Sequence, residues 1–249
     1  MSCSCISRRR LLVQGSATLV GAAALSGCSE NALGRRSLNI FSDSDLEAAA
    51  FSAWGQIKQT STLSQNKSYW SRTEQVGADM ARVSGVGGTP EFIVIEDEAP
   101  NAFVLPGAKV AVHSGLFQVA TNNNELAAVL GHEMGHVVAR HANERASQQA
   151  VTGFAIDLLT NGGEKQGLAR ALGLGAQFGV LLPYGREHEL ESDRLGVRYA
   201  HAAGYDPNGA LTLWQKMGAL GGSPPEFLST HPGANNRQAV IRAEIATLS

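Results

Sequence analysis

The sequence predicts an α+β fold, mostly helical, with a small sheet or hairpin beside one central helix. Three features carry the prediction. Apolar residues recur at three-to-four spacing through 43–57, 69–83 and a long central stretch from 123. An alternating β-branched run occupies 91–96, and two short apolar stretches flank Pro106-Gly107. At 249 residues and 26.2 kDa the chain can bury one good-sized core and still carry processing and linker segments. Its 43% hydrophobic and 17% charged residues describe an ordinary globular protein rather than a set of membrane spans. A formal net charge of -2, with no dense Lys/Arg run outside residues 8–10, argues against a polyanion-binding surface, so no nucleic acid is expected as partner.

In chain order, residues 1–27 have the organisation of a signal peptide: Ser7-Arg8-Arg9-Arg10-Leu11-Leu12, then an apolar stretch from Val13 to Leu25 that is too short to span a bilayer. The paired arginines and the weakly apolar core fit a twin-arginine signal, although a general secretory signal also begins with basic residues. Leu25-Ser26-Gly27-Cys28 resembles the lipobox of bacterial lipoproteins, which makes Cys28 the expected lipidation site and first residue of the mature chain. Ser29 after it suits an outer-membrane destination. Cys3, Cys5 and Cys28 are the three cysteines, so nothing beyond residue 28 can form a disulfide. Residues 28–42 are short and polar, as a tether between lipid and domain would be, and the domain is expected to run over 43–249.

Ser42 or Asp43 caps a first helix with Leu46, Ala50, Phe51, Trp54 and Ile57 on its apolar face, and 69–83 repeats the period. Glu91 to Glu96 reads as a strand. Ala102 to Leu105 and Lys109 to His113 form a hairpin in which Pro106-Gly107 suits a type II turn. Asn122, three residues before Glu125, opens the central helix, expected over Asn123 to Gln149. Between Val151 and Leu182, charged residues interrupt every apolar run, so helical pieces around a Gly-containing turn are expected rather than a span. Helices over Arg186 to Ala203, Ala210 to Leu220 and Asn235 to Leu248 complete the domain.

The chemistry concentrates in His132-Glu133-Met134-Gly135-His136. Histidines four apart sit one turn apart on one helix face and can reach one ion, while Glu133 between them is placed to take a proton from water. With 7 histidines in the chain, chance produces this pattern on the order of 0.01 times, so accident is a poor explanation. Catalytic zinc needs a third protein ligand. Ala139 and Ala142 stand where a metzincin would place Gly and His, which excludes that class. A carboxylate on another helix is the alternative, and Glu187, Glu189 and Glu191 all qualify. Asp193, one turn after Glu189, favours Glu189 as ligand with Asp193 accepting from the far nitrogen of a ligand histidine.

These residues, with Glu189-x-x-x-Asp193, Ala203-Gly204-Tyr205-Asp206-Pro207, Pro100-Asn101-Ala102-Phe103, Pro106-Gly107 and Thr230-His231-Pro232 followed by Arg237, resemble the prenyl-protease-like (HtpX/BepA-type) zinc metallopeptidases, a gluzincin family. Departures are small: Ala108 stands where a second glycine is common, and Ser192 where alanine is common. The resemblance implies a zincin-like fold, one Zn2+ per chain held by His132, His136 and Glu189, Asp193 as partner to a ligand, and Glu133 as general base. It also implies a site role for His231, as resting-state fourth ligand or as oxyanion donor, with Arg237 a second candidate for the latter. His113, His188, His201 and His141 are expected to be structural or exposed.

The implied activity is hydrolysis of peptide bonds in extended or misfolded proteins of the cell envelope. Stalled outer-membrane proteins would be the substrates, in the manner of compact lipoprotein peptidases of the LoiP type, anchored on the periplasmic side through Cys28. A zinc-bound assembly or chaperone lipoprotein with little proteolysis is the alternative; the retention of Glu133 counts against it.

Overall fold

The computed structural model describes residues 28–148, 150, 185–219, 231 and 236–248. The signal-peptide reading and the expected helical pieces between 151 and 182 lie outside the described residues. The elements are β1 (Cys28–Glu30), β2 (Arg36–Leu38), α1 (Asp43–Thr60), α2 (Lys67–Ser84), β3 (Glu91–Ile95), β4 (Ala102–Leu105), β5 (Lys109–His113), a 3-10 turn (Ser114–Gln118), α3 (Asn123–Val138), α4 (Arg186–Ala202), α5 (Gly209–Ala219) and α6 (Arg237–Ala246). The α+β, mostly helical expectation holds.

Local chemistry sets the helix ends. Ser42 caps α1 by accepting from the Asp45 amide, Asn66 caps α2 by accepting from Ser68 and Tyr69, and Asn122 accepts from the Glu125 amide to open α3. α1 buries Leu46, Ala50, Ala53 and Trp54, but Phe51, expected on that face, is 71% exposed, because it lies one residue, about 100°, around from Ala50. Trp54 donates to Glu91 at 2.8 Å and ties α1 to the sheet.

That sheet has the order β3-β5-β4, with β3 parallel and β4 antiparallel to β5. β5 is buried along its whole length, and β4 is an edge strand that packs against α3. Gly107 turns the hairpin at φ 80° and Ala108 follows at φ 56°, so a left-handed residue without glycine's freedom completes the three-residue connection.

α3 is the hub, packed by α2, α4, α5 and β4 around Met80, Val110, Leu116, Leu126, Leu130, Met134, Leu213, Met217 and Ile241. It crosses α4 at glycines: a Cβ on Gly196 would stand 2.8 Å from the His132 amide nitrogen, and one on Gly135 3.1 Å from Ser192 Cα. Two backbones therefore meet with no side chain between them. That contact brings α4 close enough for a carboxylate to reach the α3 histidines.

Two sequence expectations change here. α3 ends at Val138 instead of continuing to Gln149, because Arg140 takes φ 59° and the chain re-enters helix only at 141–148. Arg140 pairs with Asp43 at the start of α1, which anchors the break. Residues 28–42, read as a tether, carry the β1–β2 hairpin, with Cys28 opposite Leu38. In its turn Asn31 Oδ1 accepts from the amides of Leu33 at 3.0 Å and Arg35 at 2.9 Å, and the Asn31 and Arg35 side chains reach α4.

Candidate metal centre

The helical period of α3 turns His132, Glu133 and His136 inward, all buried, and α4 presents Glu189 and Asp193 one turn apart from the facing wall. His231 completes the group from the C-terminal side. One ligand atom from each of His132, His136, Glu189 and His231 can be chosen so that all four lie within 4.8 Å of one another.

The spacings fit one small cation. His132 Nε2 is 3.1 Å from His136 Nε2, 3.3 Å from His231 Nδ1 and 3.3 Å from Glu189 Oε2; Glu189 Oε1 is 3.4 Å from His136 Nε2 and 3.1 Å from His231 Nδ1. Donor atoms about 2.05 Å from zinc at tetrahedral angles would be about 3.3 Å apart. Three imidazoles and one carboxylate are a borderline-soft set that suits zinc. Of the sequence candidates on α4, only Glu189 reaches this centre; Glu191 belongs to a network behind it.

Asp193 stands where the sequence reading put it, with Oδ1 3.0 Å from His132 Nδ1. That contact places a proton on Nδ1 and leaves Nε2 as the donor atom. Arg237 was a second candidate, beside His231, for facing a developing oxyanion. It lies behind the ligands instead: it grips Asp193 through two bonds of 2.6 Å, stands 2.8 Å from Glu189 Oε2, and stacks on Trp214 at 3.7 Å from the ring centroid. Its guanidinium is committed to two carboxylates.

Burial would depress the basicity of His132, but Asp193 and Glu189 outweigh it and hold the imidazole up at about 9. Burial dominates at His136, which falls well below the ordinary histidine value despite Glu189. Glu189 feels burial upwards, and His132, His136 and His231 drive it far below the usual carboxylate range. Asp193 is likewise lowered by Arg237 against its burial. Glu133 is the exception: burial pushes it up, the direction that prepares a carboxylate to accept a proton.

His141, expected to be merely structural, touches the site. Its Nδ1 lies 2.9 Å from His136 Nδ1, and its Nε2 lies 2.8 Å from Glu191 Oε2. An unbroken helix would have turned His141 about 140° away from His136; the left-handed Arg140 brings it back. Beyond it, Arg35 joins Glu191 at 2.7 Å to Glu144 at 2.6 Å, and His188 stacks on His141 with centroids 4.2 Å apart while reaching Glu144 at 3.1 Å. The positive φ of a non-glycine residue is invisible in the sequence, so this part of the site could not be found there.

Comparison with known proteins agrees with this geometry. Residues 70–245 match the model of peptidase family M48. The mitochondrial metalloendopeptidase OMA1 of Schizosaccharomyces pombe is 37% identical over 177 residues, 68% of this chain and 52% of that protein. The beta-barrel assembly-enhancing protease of Escherichia coli K12 is 32% identical over 163 residues, 61% of this chain and 33% of that protein. The chain thus spans about half or less of the length of these relatives. The matched segment carries every residue of the centre, and the chain belongs to peptidase family M48.

Proposed function

We propose that the chain is a zinc-dependent endopeptidase of the bacterial cell envelope, lipid-anchored through Cys28, that cleaves extended or misfolded envelope proteins. The observation that carries the activity is the buried Glu133 beside a four-residue donor set of His132, His136, Glu189 and His231. A purely structural metal site needs no base.

Zinc, when bound, supplies Lewis-acid polarisation of the scissile carbonyl and makes water more acidic. The protein's own groups do the rest. Glu133 takes a proton from the attacking water and passes it to the leaving amine. Asp193 and Arg237 fix the tautomer and orientation of His132. The edge strand β4, lying against α3, can hold a substrate by strand addition, which selects extended chains. His231 must move or lend its proton, since Nδ1 faces Glu189 at 3.1 Å and Nε2 faces Glu133 at 3.3 Å.

The lipobox-like Leu25-Ser26-Gly27-Cys28 and the signal-like residues 1–27 support an envelope location, outer membrane and periplasmic side. Similarity to a beta-barrel assembly-enhancing protease supports stalled outer-membrane proteins as substrates. One contact favours a second reading, a zinc-bound assembly or chaperone lipoprotein with little proteolysis: His231 stands against the base. The test is zinc content and casein cleavage of the full chain in detergent, beside Glu133→Gln and His231→Ala. One zinc per chain, cleavage by the parent or by His231→Ala, and none by Glu133→Gln support the peptidase. Zinc without cleavage by any form supports the assembly factor. Membrane fractionation of Cys28→Ala tests the anchor, with release from the membrane expected.

A further inference from the structure

We propose that Arg35, in the N-terminal hairpin, is a positioning residue for the metal centre: it holds Glu191, which holds His141, which sets the ring of the ligand His136. The inference rests on the zinc reading above but not on proteolysis.

The two histidines of α3 are supported differently. His132 meets its carboxylate directly, through Asp193 at 3.0 Å. His136 Nδ1 faces a second imidazole, His141, at 2.9 Å. With His136 Nε2 as donor atom to the metal, its proton resides on Nδ1 and points to the lone pair of His141 Nδ1. His141 must then carry its own proton on Nε2, which points to Glu191 Oε2 at 2.8 Å. The direction of both hydrogen bonds is fixed only if Glu191 is an acceptor held in place.

The hairpin does the holding. Arg35 donates from Nε to Glu191 Oε1 at 2.7 Å and from Nη2 to Oε2 at 3.0 Å, while Asn31 Nδ2 lies 3.1 Å from each of the two oxygens. The same guanidinium forks to Glu144 at 2.9 and 2.6 Å, so it cannot swing away without losing a second carboxylate. All of these groups except Arg35 itself are buried, and Arg35 is 20% exposed. A chain of four side chains therefore runs from a hairpin that opens at Cys28 to a metal ligand. Outer partners of this kind usually change metal affinity 10–100-fold.

The experiment measures the zinc dissociation constant of the full chain in detergent by chelator competition, with the cobalt-substituted absorption spectrum as a second readout. Arg35→Ala, Glu191→Gln and Asn31→Asp are compared with the parent and with Arg198→Ala, which removes a remote ion pair to Glu244. Asn31→Asp keeps the oxygen that the turn needs and sets a carboxylate against Glu191. On the order of 10-fold weaker zinc binding is expected in each of the three, with an altered cobalt spectrum. Arg35→Lys should recover part of the loss, and the Arg35→Ala/Glu191→Gln pair should be clearly less than additive. Zinc affinity within two-fold of the parent in Arg35→Ala, or in Asn31→Asp should Arg35→Ala not fold, overturns the proposal. So does full additivity of the pair. Zinc binding without cleavage by either the parent or His231→Ala, with the affinity loss still seen in the variants, leaves this inference supported and sinks the peptidase reading alone.

Discussion

His231 stands between ligand and base: its Nδ1 is 3.1 Å from Glu189 Oε1 and its Nε2 is 3.3 Å from Glu133 Oε1. One imidazole thus occupies both the fourth donor position and the hydrogen-bonding reach of Glu133, the proposed base. His231→Ala leaves His132, His136 and Glu189 to hold zinc, as three protein ligands suffice in catalytic sites. Casein cleavage at least equal to that of the parent is expected, with zinc bound somewhat more weakly. Cleavage lost while zinc stays bound would make His231 a transition-state donor instead of a latch.

Asp193 lies 3.0 Å from His132 Nδ1, and Arg237 pairs with both Asp193 and Glu189, so the proposed role of the two is to hold the ligands. Asp193→Asn leaves the guanidinium without its main counter-charge, and Arg237→Ala leaves a buried carboxylate poorly paired. Each is expected to weaken zinc binding by about 10–100-fold, read by chelator competition. If Arg237→Ala instead kept zinc affinity and lost only turnover, the oxyanion role expected from the sequence would return.

The crossing of α3 and α4 tolerates no added carbon. A Cβ at Gly196 would lie 2.8 Å from the His132 amide nitrogen, and its three nearest atoms are all backbone, which cannot step aside as a flexible side chain would. Gly196→Ala is expected to cost about 1–3 kcal/mol of stability and to weaken zinc binding by moving Glu189 outward. Thermal unfolding with and without chelator separates the two effects. An unchanged melting temperature would show that the helices can part freely.

Glu91 gives a pH signature. Hydrogen bonds from Lys109, Trp54 and Lys58 lower its carboxyl from 4.5 to about 2, so its stabilising contribution is present above pH 4.5 and fades as pH falls through about 2. The site is partly solvated, which limits the contribution to about 1 kcal/mol. Comparing Glu91→Gln with the parent under chelation, the difference in melting temperature should be present at pH 7 and shrink below pH 4. A difference independent of pH would assign the effect to packing of Trp54.

Much of the site was legible because its chemistry follows helical spacing. His132, Glu133 and His136 on one turn, and Glu189 with Asp193 on another, are periodicity arguments, and helices report periodicity well. The caps Ser42 and Asn122 and the Pro106-Gly107 hairpin were legible for the same reason: local sequence determines them. What was hidden depends on contacts far apart in the chain. Arg140 ends α3 early because it adopts a left-handed conformation beside Asp43, and only that break makes His141 a partner of His136. Phe51 looked like a core residue because it is apolar and stands three residues before Trp54, while the helix turns it outward. Arg237 looked available for an oxyanion; its pairing with Asp193 and Trp214 requires knowing where α6 lies against α4 and α5.

The β1–β2 hairpin also limits reach. Cys28 is already paired opposite Leu38, and Asn31, only three residues on, is bonded to α4. If Cys28 carries the proposed lipid, almost no slack would separate bilayer from domain, since three extended residues span at most about 10 Å. A long leash would let the peptidase patrol the depth of the periplasm. A short one, under the proposed anchoring, would keep the metal centre at a fixed, low altitude, where it would meet chains that linger at the membrane surface.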